Sequence, residues 1–479
     1  MNEHRSRKSL LTKATAAALA ASLVSSCVMG PDYKRPEVAQ PNDFRFQINQ
    51  ADASSFADLG WWDVFKDPAL QALITDALNN NTDLQVATAR IEQARELVGV
   101  VRSQALPQVN YDAHGAIAKK PADDQDLVGT YGSGIAILSA AWELDVWGRI
   151  HRATEAARAN MYQQEEIRRG IMLTLVSDVA TGYFRLLQLD RELAIASESQ
   201  STFAKTHELF SLRFQAGRDS RLPVERAKAS LDESTARVAD LKREIAQQEN
   251  ALSVLAGAYP GPIQRGMELT AQALPPQTPV GLTTELLRRR PDIRAAEQGM
   301  ISANAQIGEA IANFYPKIGL STLAGLIGIA GAGALDGHSG FFRGGLNIAG
   351  PIFTGGRLES EYRNRKAYWD ETVAQYRQTI LVAFRETSDA LIAEQRLAEE
   401  RAALETKVTA SRQSIELSLE RYHGGRASYF EVIEAQQQLF PAEDQLAKVQ
   451  QAQLVAVVNL YKALGGGWKL TDTEFRKQG

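Results

Sequence analysis

The sequence lacks the features that would tie it to several common classes of protein. It has one cysteine in 479 residues, so no disulfide can form within the chain. Lysine and arginine number 53 against 57 aspartates and glutamates, which gives a net charge of −4. Because nucleic-acid binding requires an excess of positive charge on one face, this balance predicts no nucleic-acid partner.

Motifs for catalysis and metal binding are also missing. The six histidines are scattered, with no His-x-x-x-His pair and no cysteine partners that could complete a metal site. The segment GLIGIAGAG around Gly328 has closely spaced glycines, but it lacks the ribose-binding acid of a nucleotide fingerprint, and we interpret it as a glycine-rich loop. The sequence therefore predicts no enzyme, no metal and no cofactor.

The N-terminus carries an export signal. Basic residues between Arg5 and Lys13 precede an apolar stretch, 14–24, that is too short to span a bilayer, since a spanning helix takes roughly 20 residues. The string VSSC that follows resembles the lipobox of bacterial lipoproteins. It implies cleavage before Cys27, with a diacylglycerol on its thiol and an acyl chain such as palmitate on its amino group; the alternative is an incidental cysteine. Val28 is not the aspartate that retains lipoproteins at the inner membrane, which favours the outer membrane.

One structural unit occurs twice in the mature chain. Asp83 and Pro107 recur as Asp292 and Pro316, offset by 209 residues, and later motifs recur at an offset of 208. The later pairs are VWGR with TGGR, FQAGR with YHGGR, and LAG with ALG. A constant offset with one net deletion indicates an internal duplication. The proline- and glycine-rich residues between the copies, 259–281, are interpreted as a linker.

Each copy is predicted to begin with a helix and to continue with a β-hairpin. The first helix is predicted to open after 81–83 in copy one and after 291–292 in copy two, because these residues are typical of helix starts. Beyond Pro107, apolar residues from Val109 to Ile117 alternate with polar ones, the period of a strand with one apolar face. The predicted hairpins span 107–145, with a polar loop at 119–129, and 316–353, with strands at 317–326 and 341–353.

Proline is absent from 149 to 222, so this stretch can form one uninterrupted helix. Apolar and small residues recur in it at alternating spacings of three and four, the heptad pattern of a coiled coil: Met172, Leu175, Val179, Gly182, Leu186, Leu189, Leu193 and Ala196. A helix over 150–214 would be roughly 95 Å long at 1.5 Å per residue. The predicted long helices are 150–214 and 222–255 in copy one, and 358–422 and 429–464 in copy two.

The uncharged stretch 318–335 could also be interpreted as a transmembrane helix. Its five glycines would weaken a helix, and the matching segment of copy one carries Asp112 and Lys119, so we interpret it as a strand followed by a glycine-rich loop. Four strands cannot close a membrane barrel, which takes about eight, and open sheet edges are not tolerated in lipid. The sequence therefore predicts that several copies pool their hairpins.

Several segments together resemble the TolC-type outer-membrane factors, or outer membrane efflux proteins, and in particular the NodT-like lipoprotein branch that serves resistance-nodulation-division pumps. They are the lipobox, the mature start CVMGPDYKRP, the segment WWDVFKDPAL, the GR after the second strand and the duplicated order of elements. The resemblance covers essentially the whole mature chain. It implies an α+β membrane protein: a homotrimer with a twelve-stranded outer-membrane β-barrel, four strands per chain, continued by a periplasmic coiled-coil α-barrel with a belt around its middle.

On this basis the chain is predicted to have six parts. They are a lipoprotein signal peptide, 1–26; a lipidated N-terminal belt segment, 27–67; repeat one, 68–258; a linker in the belt, 259–281; repeat two, 282–467; and a C-terminal tail, 468–479.

The turn after the long helix of copy two reads ERYHGGRASYFEVIE, and the resemblance places it at the periplasmic mouth of the tunnel. Glu431 and Glu434 fall where related channels carry gate-lining acids. Three-fold symmetry would make each a ring of three carboxylates that attracts cations, and their spacing lets both face one side of a helix. The alternative is a pair of solvated surface glutamates.

Tyr422 and Arg426 lie just before these acids, where related channels use a tyrosine and an arginine to hold the closed mouth together. Copy one has Pro223 and Arg226 at the positions that match the two acids, so the acid pair belongs to copy two alone. For Arg426 the alternative is a solvated turn residue.

Aromatic residues outside the turn have two interpretations each. Trp61 and Trp62 could stack on a ligand, although hydrophobic packing is the simpler explanation. Tyr131, Trp142 and Phe353 could belong to the aromatic girdles of a membrane barrel, or could be packing residues.

The predicted function is a passive exit duct of a tripartite efflux pump for drugs or other small toxic compounds. The partners implied are two further copies of the chain, a periplasmic adaptor, an inner-membrane resistance-nodulation-division pump and outer-membrane lipid. The predicted location is the outer membrane, with extension into the periplasm. The alternatives are the exit duct of a type I protein-secretion system and a trimeric structural coiled-coil stalk.

Overall fold

The described part of the chain folds into long helices and one antiparallel sheet. The computed structural model describes residues 28–39, 41–47, 56–119, 130–274, 281, 283–331 and 334–467. The described helices are α1 (Trp61–Val64), α2 (Pro68–Asn80), α3 (Thr82–Ser103), α4 (Arg149–Gln215), α5 (Arg221–Leu255), α6 (Thr283–Arg289), α7 (Pro291–Ala312), α8 (Arg357–His423) and α9 (Tyr429–Ala463). The strands are β1 (Gln108–Lys119), β2 (Thr130–Leu144), β3 (Lys317–Gly331) and β4 (Ala334–Ala349), and Phe56–Asp58 and Leu269–Ala271 form 3-10 turns. The signal peptide, Cys27, most of the first hairpin loop and the C-terminal tail lie outside the described residues.

The first helix of each copy, α3 or α7, begins in the structure at the predicted cluster. The Asn81 side chain accepts a hydrogen bond from the Leu84 amide at 3.1 Å, so it caps α3. Pro291 is the first residue of α7, where its missing N–H costs nothing. Asp67 caps α2 by accepting from the Ala69 amide at 2.9 Å, and it also binds the Tyr183 hydroxyl at 3.0 Å.

The four strands form one sheet in the order β1-β2-β3-β4, and every neighbouring pair is antiparallel. Tyr111 pairs with Leu138, and the same row continues through Ala324 to Phe342. These residues share one face, as the alternation in copy one predicts. Tyr111 is 86% exposed and Phe342 is 77% exposed, so none of the described residues covers the apolar face at these positions.

The glycine-rich segment of copy two is part of a strand, which corrects the predicted loop. β3 continues through the glycines to Gly331, and β4 begins at Ala334 rather than at 341. A Cβ atom on Gly325 would lie 2.6 Å from the Phe341 ring and 2.7 Å from the Ala136 carbonyl oxygen. Glycine is therefore used here for close approach between strands. The alternative transmembrane helix at 318–335 is wrong.

The chain divides into two compact units. Unit 1 contains the N-terminal residues up to Glu37, Arg90–Glu165 and Ala295–Tyr376, and therefore holds the whole sheet. Unit 2 contains Val38–Ala89, Glu166–Arg294 and the residues from Arg377 onward, and its described part has helices but no strands.

The heptad pattern forms the core of unit 2. Val179 and Leu186 are fully buried, and Leu189 packs in one cluster with Val238 and Leu241 of α5. A Cβ atom on Gly182 would lie 2.8 Å from Leu252, so glycine allows α4 and α5 to approach closely. The most apolar window of α4 is long enough to cross a membrane, but 61% of it is buried, as expected of a coiled-coil core.

Candidate functional site

The two turns between long helices, 216–220 and 424–428, have the same backbone conformation. Gly217 and Gly425 have φ angles of 71° and 65°, in the left-handed region that favours glycine. In the first turn the Arg218 amide donates to the Arg213 carbonyl at 2.9 Å. In the second turn the Arg426 amide donates to the Arg421 carbonyl at 2.8 Å. Both turns therefore end their helices with the same glycine-based stop.

Tyr422 is held by contacts within its own chain. Its hydroxyl oxygen accepts a hydrogen bond from the Arg213 guanidinium at 2.7 Å, and the same guanidinium donates to Asp219 at 2.8 Å. Its ring meets the Tyr429 ring edge-on, with 4.9 Å between centroids. Tyr422 therefore ties the end of α8 to the turn of copy one.

The two predicted gate acids differ in their surroundings. Glu431 accepts from the Arg421 guanidinium at 3.3 Å, and both side chains are about half exposed. Glu434 is exposed one turn further along α9, and within the described chain it has no ion-pair partner. The pair thus presents one carboxylate that is partly neutralised and one that is free to interact with ions.

Arg426 is exposed, and among the described residues its guanidinium has no hydrogen-bond or ion-pair partner. The arginine that binds one of the two acids is Arg421, which donates to Glu431. Sequence reasoning missed Arg213, Asp219 and Arg421 as contacts of the turn. The signal that could have found the two arginines is the duplication itself, because they occupy matching positions directly before FQAGR and YHGGR.

An apolar cluster supports the turns. Phe203, Phe210 and Ala227 of copy one are buried together with Ile433 of copy two. The Tyr429 ring meets Phe210 edge-on at 5.2 Å. Because Ile433 lies between the two acids in sequence, this cluster fixes the face of α9 that is buried and leaves Glu434 exposed.

Acidic side chains are fully or partly buried between the long helices away from the turns, at Glu192 of α4 and Asp444 of α9. Glu192 is fully buried and accepts from the Arg237 guanidinium at 2.5 Å and from the Gln188 amide at 2.6 Å. Asp444 lines a neighbouring cavity of 740 Å³ between α4, α5 and α9. Burial, and then the negative charge of Glu192, raise the pKa of the Asp444 carboxyl above its usual value. These groups are compensated within the helices, and no group of three or more metal-ligating side chains is found in the described residues.

The aromatic residues are only partly accounted for. Trp61 is fully buried against Trp62, with 5.6 Å between ring centroids, which fits packing rather than a ligand stack. The Trp142 indole donates to the Ala105 carbonyl at 2.8 Å, and Phe353 is 90% exposed. The Tyr131 side chain lies outside the described part, and the girdle remains a prediction.

Known proteins similar to this chain are outer-membrane efflux channels. The model of the outer membrane efflux protein family matches residues 73–258 and 282–466. The cation efflux system protein CusC of Escherichia coli O157:H7 is 30% identical over 451 residues, which cover 93% of this chain and 97% of that protein. The antibiotic efflux pump outer membrane protein ArpC of Pseudomonas putida is 33% identical over 474 residues, 96% of each chain.

Solved structures agree with these sequence matches. The open state of the Neisseria gonorrhoeae MtrE outer membrane channel superposes with a TM-score of 0.83 at 31% identity, over 92% of this chain and 99% of that one. The outer-membrane channel OprN superposes with a TM-score of 0.82 at 29% identity, over 92% and 100%. The predicted fold class, a channel that combines a membrane β-sheet with long periplasmic helices, is confirmed.

Proposed function

Because this chain belongs to the outer membrane efflux protein family and is the outer-membrane channel of a tripartite efflux pump, we propose that it is the lipid-anchored duct through which drugs or other small toxic compounds leave the cell. An inner-membrane resistance-nodulation-division pump supplies the energy, and a periplasmic adaptor joins pump to duct. The duct itself catalyses no reaction and needs no cofactor. One similar protein is named for antibiotics and another for cations, which fits a passive duct whose cargo is chosen by the pump.

The exposed apolar face of the sheet carries this proposal. Tyr111, Ile117 and Phe342 lie on that face and are between 77% and 86% exposed. The opposite face carries polar groups, including Asp112 and His114, whose side chains are 2.6 Å apart. A sheet with a bare apolar face and a polar face fits a barrel wall between lipid and an aqueous lumen.

The open edges of the sheet support a homotrimer. Within the described residues β1 and β4 each pair with one strand only, so each leaves a row of backbone N–H and C=O groups without a strand partner there. Lipid cannot satisfy these groups, and three copies joined edge to edge would give a closed wall of twelve strands. We place the lipid on Cys27 and the repeats at 68–258 and 282–467, with the belt built from 27–67, 259–281 and 468–479.

The turn at 424–428 supports a periplasmic gate. In a trimer, Glu434 would contribute a ring of three carboxylates without partners in their own chains, and Glu431 a second ring weakened by Arg421. Tyr422 and Arg426 would hold the resting mouth, with Tyr422 acting through Arg213. The three copies of this turn, one from each chain, would then attract cations at the entrance of the duct.

Assembly and conductance test the proposed duct together. The purified protein is cross-linked in detergent and reconstituted into planar bilayers. We expect cross-linked trimers and a conductance that requires the trimer. Folded, conducting monomers would refute the shared barrel, and trimers that never conduct would favour a structural stalk.

The anchor is tested separately. Mass spectrometry of protein extracted from membranes should show a blocked, lipid-bearing N-terminus at Cys27. Cys27→Ala should lose the anchor and still form trimers, since the strands carry the barrel. An intact Met1, or cleavage elsewhere with a free thiol, would remove the anchor from the proposal.

A further inference from the structure

The cavity of 740 Å³ within unit 2, between α4, α5 and α9, has an apolar wall. Phe203 of α4 is 5% exposed, and its ring meets the Phe440 ring of α9 edge-on with 6.0 Å between centroids. Glu233 and Ala236 of α5 line the cavity and are exposed, so it is open to solvent on that side. Its volume suits a drug-sized molecule, and its aromatic wall suits one with an apolar body.

Pro441 of α9 leaves a backbone acceptor in the cavity wall. Proline has no N–H, so the carbonyl of Gln437, four residues earlier, lacks the donor that an uninterrupted helix would supply. Both residues line the cavity. The Gln437 side chain is engaged elsewhere, because its amide donates to the Ser230 hydroxyl of α5 at 3.1 Å. The Gln437 carbonyl is therefore left for a donor inside the cavity.

Two side chains of the wall also have unused hydrogen-bonding capacity. Ser199 is 7% exposed, and its hydroxyl has no hydrogen-bond partner among the described residues. The Asp444 carboxylate accepts no hydrogen bond from the described chain, and its ion-pair partner, the Lys448 ammonium, is 4.0 Å away. Because a buried polar group without a partner costs free energy, these groups point to a ligand that donates hydrogen bonds.

The charges of the cavity favour a cation. Three acids and one base line it: Glu233, Asp240, Asp444 and Arg237. Arg237 is already engaged, since its guanidinium lies 2.5 Å from Glu192 and 3.1 Å from Asp240. Burial, and then the negative charge of Glu192, raise the pKa of the Asp444 carboxyl. A cation beside Asp444 would act in the opposite direction and favour the charged carboxylate.

The matching positions on the long helix of copy two would not form the same wall. The two long helices match at an offset of 208, so Ser199 and Phe203 correspond to Lys407 and Ser411 of α8. A lysine stands in place of the hydroxyl, and a small polar side chain stands in place of the ring. The combination of an aromatic wall and unused acceptors therefore depends on the α4 sequence.

We propose that this cavity is a binding site for a protonated primary amine that carries an aromatic body. The ammonium would donate to the Asp444 carboxylate, and the body would lie against Phe203 and Phe440. An ammonium has three donors and no acceptor, which suits a wall whose unused groups accept hydrogen bonds. The Gln437 carbonyl and the Ser199 hydroxyl would receive further N–H or O–H groups of the ligand. All these residues belong to one chain, so the site does not depend on the proposed trimer.

Isothermal titration calorimetry on the full-length protein in detergent tests the site. The probes are diphenylpropylamine and diphenylpropanol, which have the same size and differ in charge. We expect the amine to bind about tenfold or more tighter than the alcohol, because a hydrogen bond between charged groups is stronger than a neutral one. Asp444→Asn should weaken the amine by the same factor and leave the alcohol unchanged. Asp232→Asn, an exposed acid of α5 outside the cavity, is the matched control and should change neither affinity.

Phe440→Leu tests the apolar wall without changing the charge. It should weaken the amine and the alcohol alike, by about threefold, because aromatic contact area is lost. Equal amine affinity in the parent chain and in Asp444→Asn would overturn the site, and so would an alcohol that binds as tightly as the amine or affinities that Phe440→Leu does not change. A conducting trimer that binds no amine would remove this site alone, whereas a trimer that binds the amine and never conducts would contradict the duct and leave the site in place.

Discussion

The turn at 216–220 and the turn at 424–428 occupy matching places in the two copies and share one backbone, but they differ in their exposed side chains. Where copy one has Phe214, copy two has Tyr422. The acids Glu431 and Glu434 replace Pro223 and Arg226. The glycines with positive φ and the arginines at the helix ends are the same in both. Residues that shape the turn have thus stayed alike while residues that could face an ion differ, so we look for gating in the side chains of copy two.

The largest expected effect comes from removing the acids. Glu431→Gln with Glu434→Gln keeps the side-chain volume and removes the charge, so cation preference in bilayers should disappear. Block by multivalent cations should weaken by about tenfold or more, because the field of both rings is lost. Since Arg421 already neutralises part of Glu431, Glu434→Gln alone should account for most of the change.

Glu225→Gln is the matched control for this experiment, because it removes an exposed acid near the turn of copy one. It should leave selectivity and cation block unchanged. Wild-type selectivity in the double glutamine variant would show that the two acids are solvated surface residues.

The next effect concerns the tyrosine. Tyr422→Phe gives copy two the aromatic residue of copy one and removes the acceptor of the Arg213 hydrogen bond. Single-channel conductance should rise, by roughly twofold, because one charge-assisted bond no longer holds the end of α8. The Arg426 side chain has no partner in the described part of its own chain. Arg426→Ser should therefore raise conductance only if Arg426 makes contacts between copies. If Tyr422→Phe leaves conductance unchanged, the bond to Arg213 is not part of the gate.

The shared backbone predicts equal effects in the two turns. Gly217→Ala and Gly425→Ala each force a Cβ atom into a left-handed conformation, at a cost of roughly 1–2 kcal/mol. Both should lower the midpoint of thermal unfolding by a similar few degrees, as followed by circular dichroism. Gly99→Ala, in the open interior of α3, should raise the midpoint slightly instead. Markedly unequal losses would mean that the turns do not share one stabilising conformation.

The smallest expected effect concerns a charge that is present on α9 and absent from α5, the matching helix of copy one. Asp444 of α9 matches Ala236 of α5, and its pKa is raised by burial. Its contribution to stability is full below the unfolded pKa of about 3.9 and is lost as pH rises through the folded value. Asp444→Asn should therefore unfold at a temperature roughly 2 °C higher than the parent at pH 8, with no difference near pH 4.

The exposed Asp232→Asn serves as the control and should not change the midpoint at either pH. A lower midpoint for Asp444→Asn at pH 8 would show that the ion pair between Asp444 and Lys448, which lie 4.0 Å apart, outweighs the cost of burying the charge.

The long helices could be predicted to within one residue, and the contacts of the turns could not. Heptad spacing and the absence of proline predict the bounds of α4. The helix runs over Arg149–Gln215, and the predicted range was 150–214. Such patterns are local, so one stretch of sequence contains all the information. The bond between Arg213 and Tyr422 joins residues 209 positions apart, and no local pattern reports it.

The glycines of β3 also show that a local pattern does not report contacts with distant parts of the chain. Read alone, glycines at short spacing favour a loop, because they weaken both helices and strands. Their role in the sheet depends on the Phe341 ring of β4 and the carbonyl of Ala136 of β2, which lie far along the chain. The start GPDYKRP likewise identified the family. The hydrogen bonds that join its Asp32 to Arg152 and its Arg35 to Glu297 became visible only in three dimensions.

The two open edges of the sheet also matter before the channel exists. A single exported chain carries an uncovered apolar face and two strand edges into an aqueous compartment, where both favour aggregation. Productive assembly needs three chains to meet, so its rate depends steeply on their local concentration. The proposed acyl anchor on Cys27 would confine the chains to a membrane surface and raise that concentration. Anchoring would therefore serve the kinetics of folding as much as the final location.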